Sequence, residues 1–216
     1  MAAIQSILFD LGNVLIDLDI PRTERRLREL LGDAFQASFA RNEQAGVFRQ
    51  FELGEISSDE FLQELRELSG QVASKQELKE AWNALLIGMP LHRFQMLEAL
   101  RADYKLYVLS NTNALHIEWV RADLRTRLGI HRFEAYFDQV FYSHEIQLRK
   151  PDKEVYEYVL RSAGLDADTL LFIDDNPANV QAAAALGIQS YLHADGRDVS
   201  EYLCEQGLLK KDFAKR

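Results

Sequence analysis

Two apolar runs in this chain end in carboxylates, and those residues are the ones best equipped for chemistry. Ile7, Leu8 and Phe9 lead into Asp10, with Gly12 and Asn13 close behind. Leu170 to Ile173 lead into Asp174-Asp175-Asn176-Pro177, with Asn179 just beyond. Consecutive carboxylates ending an apolar strand are costly unless something cationic compensates them. Hard oxygen donors at this spacing suit Mg²⁺ far better than zinc. Strand geometry points successive residues to opposite faces, so one of Asp174 and Asp175 faces the site while the other supports it or caps the next helix. Taken alone, Asp10 reads equally well as a working carboxylate or as a turn or cap residue.

Two further stretches could complete a site. Leu109-Ser110-Asn111-Thr112-Asn113 presents hydroxyl and amide groups ahead of a helix, where they hold phosphate oxygens or simply cap the helix. Arg149-Lys150-Pro151-Asp152 places an ammonium in a loop, where it neutralises a phosphate, holds a carboxylate in place or is merely solvated. Each of these signals is weak by itself. What joins the four is that each follows a strand candidate, and an open α/β sheet binds ligands at the carboxyl ends of its strands.

The strands are unbroken apolar runs, as expected where both faces are covered. They are predicted at residues 7–9, 105–109, 140–142, 170–173 and 190–192. Helices are expected at 91–102, 153–163, 177–186 and 199–206, so strand and helix alternate and the fold class is α/β with a parallel sheet. Between Pro21 and Met89 the pattern is helical with no strand candidate. Pro21 opens and Gly32 closes one helix, and Phe35, Phe39 and Ala40 suggest a second. Ser57-x-x-Glu60 and Ser74-x-x-Glu77 are capping boxes, the latter expected to carry Leu78, Trp82, Leu85 and Leu86 on one helix. Residues 19–89 therefore read as a helical cap inserted into a core formed by 1–18 and 90–216.

The 216 residues carry a formal charge of −9, which argues against a nucleic-acid surface. An anionic substrate would then need local positive charge, from a metal or a placed lysine. The lone Cys204 permits no internal disulfide, reads as packing, and suggests a reducing compartment. No window is long enough to span a bilayer, so a cytoplasmic protein with no membrane partner is expected. Nothing in the sequence indicates oligomeric state.

Asp10 in Phe-Asp-Leu-Gly-Asn-Val, Ser110 in Leu-Ser-Asn-Thr, Lys150 before Pro151, and the Asp174-Asp175 pair together resemble the four ordered motifs of the haloacid dehalogenase-like (HAD) hydrolase superfamily. The likeness extends over nearly the whole chain. Leu-Ser-Asn-Thr-Asn, Arg-Lys-Pro, Asp-Asp-Asn and the segment from Phe51 to Ser57 look like its capped sugar-phosphatase branch, which includes bacterial α-D-glucose-1-phosphate phosphatases. The resemblance implies a Rossmann-like core, a cap that selects a small phosphorylated metabolite, and two-step phosphoryl transfer. Asp10 would be the nucleophile. Mg²⁺ would be held by Asp10, the Gly12 carbonyl and Asp174, with Asp175 supporting it from behind. Ser110 and the Asn111 N–H would bind phosphoryl oxygens, and Lys150 would add positive charge.

Gly12 departs from that pattern, since most phosphatases of the superfamily carry there a second aspartate as general acid and base. Losing such a group costs about 10²–10⁴-fold in rate. A phosphatase acting on a sugar 1-phosphate would suffer least, because an anomeric oxygen leaves with little protonation. Asp17, Asp19 and His116 are candidate substitutes, each also explicable structurally. A metal-independent 2-haloacid dehalogenase and a phosphometabolite-binding regulatory protein are the alternatives. Phe48, Arg49, Phe51 and Trp82 could line a pocket under the cap, although Phe48, Phe51 and Trp82 equally suit the cap's own core.

Overall fold

The computed structural model describes residues 2–32, 46–194, 196–210 and 213. Five parallel strands form one sheet in the order β5-β4-β1-β6-β7. They are β1 (Ser6–Phe9), β4 (Lys105–Ser110), β5 (Gln139–Tyr142), β6 (Leu170–Asp174) and β7 (Gln189–Leu192). All four residues of β1 and all five of β6 are buried. Their apolar runs are continuous because helices cover both faces. One face packs Ile7, Phe9, Val108 and Ile173 against α5 (Leu91–Leu100) and α6 (Ala114–Leu128). The other packs Leu8, Leu109 and Phe172 against α8 (Lys153–Ala163) and α9 (Pro177–Ala184). Cys204, on α10 (Val199–Glu205), belongs to the first core, as expected of a packing residue. No helix among the described residues is long and apolar enough to cross a membrane.

After β1 the chain turns tightly and pairs β2 (Asp17–Leu18) with β3 (Leu86–Gly88) as a short antiparallel ribbon. Between them lie α1 (Ile20–Leu31), α2 (Val47–Glu52), α3 (Ser58–Leu68) and α4 (Lys75–Trp82). Asp19 caps α1 through Arg22 N, and both expected capping boxes are formed. The helix suggested by Phe35, Phe39 and Ala40 falls outside the described residues. The strand β3 corrects the reading of 21–89 as free of strands. Leu85 and Leu86 do not continue α4: a 3₁₀ turn, Asn83–Leu85, ends the helix and β3 follows. Asp19 N donates to Leu85 O at 2.7 Å and Leu18 pairs with Leu86, so the ribbon captures residues whose spacing alone suits a helix.

Phe51, Phe61, Leu62, Leu65 and Leu78 make a separate core inside the insertion, joined by Leu115 of α6. Phe48 and Trp82 pack at its margin, Trp82 stacked on Phe48 at 5.4 Å. Phe48, Phe51 and Trp82 therefore serve the insertion's own packing.

Candidate active site

Sheet register brings the two carboxylate motifs together. Phe9 pairs with Ile173 on one side and Val108 on the other, so Asp10 stands level with Asp174 and Leu109. Asp10 N still donates to Ile173 O, at 2.9 Å, so the ladder holds the backbone beneath its side chain. Ser110 ends β4, next to Asp10's strand. Lys150 arrives from the loop after β5 and α7 (Ser143–Ile146).

Lys150 is the centre of the site, with 1% of its surface exposed. Its Nζ lies 2.8 Å from Asp10 Oδ1, 2.7 Å from Asp174 Oδ2 and 2.8 Å from Leu109 O. An ammonium has three protons, and here each has an acceptor. Taking such ions out of water costs several kcal/mol apiece, so their presence depends on this mutual satisfaction. Asp174, fully buried, also accepts from Asn176 N at 2.8 Å and from Asn179 Nδ2 at 3.0 and 3.1 Å.

The electrostatics follow from burial and pairing. Burial pushes the Asp10 carboxyl up to about 6; Lys150 opposes the shift and Asp174 adds to it. Burial alone would depress Lys150, but the two carboxylates hold it above its ordinary value and it stays an ammonium. Asp175 sits just past the strand end, half-buried, and its Oδ2 accepts from Asn13 Nδ2 at 2.8 Å. Asn13 occupies the left-handed region, φ 53°, in the turn after Asp10, a conformation that Asn tolerates. One ligand oxygen from each of Asp10, Asp174 and Asp175 lies within 4.8 Å of the others. An all-carboxylate donor set of this size fits a hard divalent cation such as Mg²⁺. Asp175 is close enough to supply a ligand itself, where the sequence suggested only support.

The phosphate-binding candidates converge on the same edge. Ser110 is buried and borders a cavity of about 140 Å³ with Gly12, Leu18, Asn111, Thr112 and His116. The Asn111 side chain brackets the Lys150 backbone, accepting from its N–H and donating to its carbonyl, both at 2.8 Å. This amide clamp, the Asn179 bonds to Asp174 and the Asn13 bond to Asp175 are roles the sequence did not disclose. Asn13 and Asn111 reach partners in other motifs, and Asn179 reaches back five residues within its own, so only the appearance of an Asn beside each motif hinted at them. A larger cleft, about 640 Å³, lies at the opposite end of the sheet around Ser6, Lys105 and Gly164, away from the carboxylates.

Each of the three candidate substitutes for the missing acid already has a partner. Asp19 caps α1. Asp17 is paired with Arg93 at 2.8 Å. His116 borders the cavity, but its Nδ1 meets Asn113 Nδ2 at 3.1 Å and its Nε2 meets Trp82 O at 3.4 Å. Asn113 Oδ1 already accepts from His116 N and Trp82 Nε1, so the amide nitrogen is the donor to Nδ1 and the ring proton sits on Nε2. Burial lowers His116 to about 4, which keeps the ring neutral.

A family model described as haloacid dehalogenase-like hydrolase matches residues 4–187. The D-ribitol-5-phosphate phosphatase of Bacteroides thetaiotaomicron is 28% identical over 196 residues, covering 90% of this chain and 94% of that protein. A HAD family enzyme from the same organism, solved in complex with magnesium and inorganic phosphate, is 34% identical with a TM-score of 0.82, covering 93% of this chain and 99% of that one. A HAD-like family hydrolase from Porphyromonas gingivalis is 29% identical with a TM-score of 0.85, covering 95% and 98%. With most of its length matched by the family model and its four strand-end motifs gathered at one edge of the sheet, the chain belongs to the haloacid dehalogenase-like hydrolase family.

Proposed function

We propose that the chain is a Mg²⁺-dependent phosphatase that hydrolyses a small phosphoester, a sugar or polyol phosphate, through an aspartyl-phosphate on Asp10. The observation that carries the reading is the buried Lys150 ammonium wedged between Asp10 and Asp174, with Asp175 completing a carboxylate cluster. The names of the phosphatase relative and of the magnesium- and phosphate-bound structure support it.

Asp10 is the nucleophile. Both of its polar contacts fall on Oδ1, from Lys150 and from Leu11 N, which leaves Oδ2 as the attacking oxygen. At neutral pH the carboxyl is ionised and needs no activating base. Bound among Asp10, the Gly12 carbonyl and Asp174, Mg²⁺ would supply positive charge that offsets repulsion between nucleophile and phosphate dianion. Asp175, tethered by Asn13, orients that assembly. The Ser110 hydroxyl and the Asn111 N–H hold phosphoryl oxygens while Lys150 neutralises charge on the transferring group. Water then hydrolyses the aspartyl-phosphate.

Residues 19–89 act as the cap over a core of 1–18 and 90–216. A cavity of 140 Å³ is close to the ~150 Å³ that accommodates a benzene ring. This space lies beside Ser110 under the ribbon, so a leaving group seated there is small or reaches out along the cap. With no acid in place at Gly12, a sugar 1-phosphate is the favoured substrate.

The test is phosphate release from α-D-glucose 1-phosphate, glucose 6-phosphate and D-ribitol 5-phosphate, with Mg²⁺ and with chelator, for wild type and Asp10→Asn. Magnesium-dependent turnover lost in the variant is the expected result. Halide release from 2-haloacids by chelated protein, with no ester turned over, would replace the phosphatase by a dehalogenase.

A further inference from the structure

Glu52, at the end of α2 in the helical insertion, touches the segment that carries Lys150 and, through Ser143, reaches the loop after Ser110. Its Oε1 accepts from Arg149 Nε at 2.9 Å, and Arg149 immediately precedes Lys150. Its backbone carbonyl accepts from Ser143 Oγ at 2.7 Å. Ser143 Oγ in turn accepts from Thr112 N at 2.9 Å, two residues beyond Ser110. Ser143 is 1% exposed, so its bonds are made where an unpartnered polar group is expensive. The single hydroxyl proton has a second acceptor, Thr112 O at 2.9 Å. Undocking Glu52 therefore redirects that proton onto the Ser110 loop and rearranges the bonds that hold it.

Gly54 makes the approach possible. Its φ is +68°, and a Cβ there would overlap the His144 carbonyl oxygen, so the turn lies directly on the core backbone. The Asn111 amide, bonded to Lys150 N and O, joins the two contacted loops to each other. Glu52, Ser143, Asn111 and Arg149 thus close a ring of contacts running from the insertion through residues 110–112 and 149–150 and back.

We propose that Glu52 is a positioning residue whose docking onto Ser143 and Arg149 couples closure of the insertion to alignment of Ser110 and Lys150 for phosphoryl binding. The identity of the group being held rests on the phosphatase reading; the docking does not. When the insertion lifts, Arg149 loses its carboxylate and both loops lose a tether. When it seats, the phosphate site is completed and the reacting group is enclosed in the same movement.

The experiment uses the full chain carrying Trp119→Phe, so that Trp82, bonded to Asn113 across the same junction, reports seating of the insertion by its emission. Glu52→Gln, Arg149→Gln, the double variant and the exchanged pair Glu52→Arg/Arg149→Glu are compared with Mg²⁺ present. Each single Gln variant should red-shift Trp82 emission, weaken inhibition by inorganic phosphate and lower kcat/KM by between about 10- and 100-fold. The double variant should be no worse than either single one, and the exchanged pair should recover part of the loss. Gly54→Ala should reproduce the same three changes. Additive losses, or a lowered melting temperature with phosphate inhibition unchanged, would overturn the coupling. If the unsubstituted enzyme neither binds phosphate nor turns over any ester, the phosphatase reading fails and Trp82 decides the docking: an emission unmoved by Glu52→Gln refutes it.

Discussion

Leu18 fills the space above Gly12: a Cβ built on the glycine would stand 2.8 Å from Leu18 Cδ1. Gly12 does not have a positive φ, so its backbone would accept a side chain and the obstacle is the leucine alone. Leu11, Ile16, Leu85, Leu86, Ile117 and Val120 line the same cavity. An apolar surface therefore stands where a proton donor would face the leaving oxygen. Gly12→Asp alone should raise activity less than the double variant, because the Leu18 side chain has to rotate aside to admit it. Gly12→Asp with Leu18→Ala should raise turnover of ordinary alkyl phosphates by about 10²-fold and change little for substrates with an acidic leaving group. Rates on aryl phosphates of graded phenol acidity read this directly: a steep dependence in wild type should flatten in the double variant. A flat wild-type series would mean that another group donates the proton.

Lys150 is the counter-ion of both Asp10 and Asp174, so removing it leaves two buried carboxylates facing each other. Lys150→Met should abolish turnover and lower stability by about 3–5 kcal/mol in chelator, the usual consequence of stripping one partner from a buried pair. Added Mg²⁺ should recover more stability in the variant than in wild type, because the cation would take over part of the lysine's role. Melting temperatures with and without Mg²⁺ measure this; equal increments would show that the metal binds elsewhere.

Asp174 and Asp175 differ in how they are held, and metal binding should differ accordingly. Asp174 is fixed by Lys150, Asn176 N and Asn179, while among the described residues the one side-chain hydrogen-bond partner of Asp175 is Asn13. Asp174→Asn should eliminate Mg²⁺ binding. Asp175→Asn and Asn13→Ala should weaken it by about 10–100-fold, with Asp10 intact in each case. Titration calorimetry with Mg²⁺ distinguishes the three, and an Asp175→Asn loss as complete as that of Asp174→Asn would make Asp175 an indispensable ligand.

The parts legible in the sequence were those whose cause is local. Leu8, Phe9, Phe172 and Ile173 form unbroken apolar runs because helices cover both faces of their sheet, and a carboxylate ending such a run is conspicuous. The boxes at Ser57 and Ser74 lie within four residues and read directly. What escaped depends on distant partners. The ribbon β2–β3 is two and three residues long and pairs segments nearly seventy positions apart, so Leu86 was indistinguishable from a helical position. Ser143 and Arg149 meet Glu52 across 91 and 97 residues. Leu18 covers Gly12 only because the ribbon turns it back over the strand end.

His116 should make stability depend on pH, with a sign set by its burial and contacts. Its ring accepts from Asn113 and donates to Trp82 O, an arrangement available only to the neutral form. Burial lowers its value from 6.5 to about 4 in the folded state. Above pH 6.5 neither state binds a proton there and the contribution to stability is fully present. As pH falls towards 4 the unfolded chain takes up a proton that the folded one refuses, so stability is lost across that window and levels off below it. Between pH 8 and pH 5 the loss should be on the order of 2 kcal/mol. Asp10 titrates in an overlapping range with the opposite sign, its raised value favouring the folded state at low pH, so the whole-protein slope mixes the two. Subtracting the denaturant-derived stability of His116→Gln from that of wild type at each pH isolates the histidine. A difference that grows more favourable to the variant as pH falls from 6.5 to 4 is expected. A constant difference would mean that His116 takes up a proton alike in the folded and unfolded states, and that Nδ1 no longer accepts from Asn113.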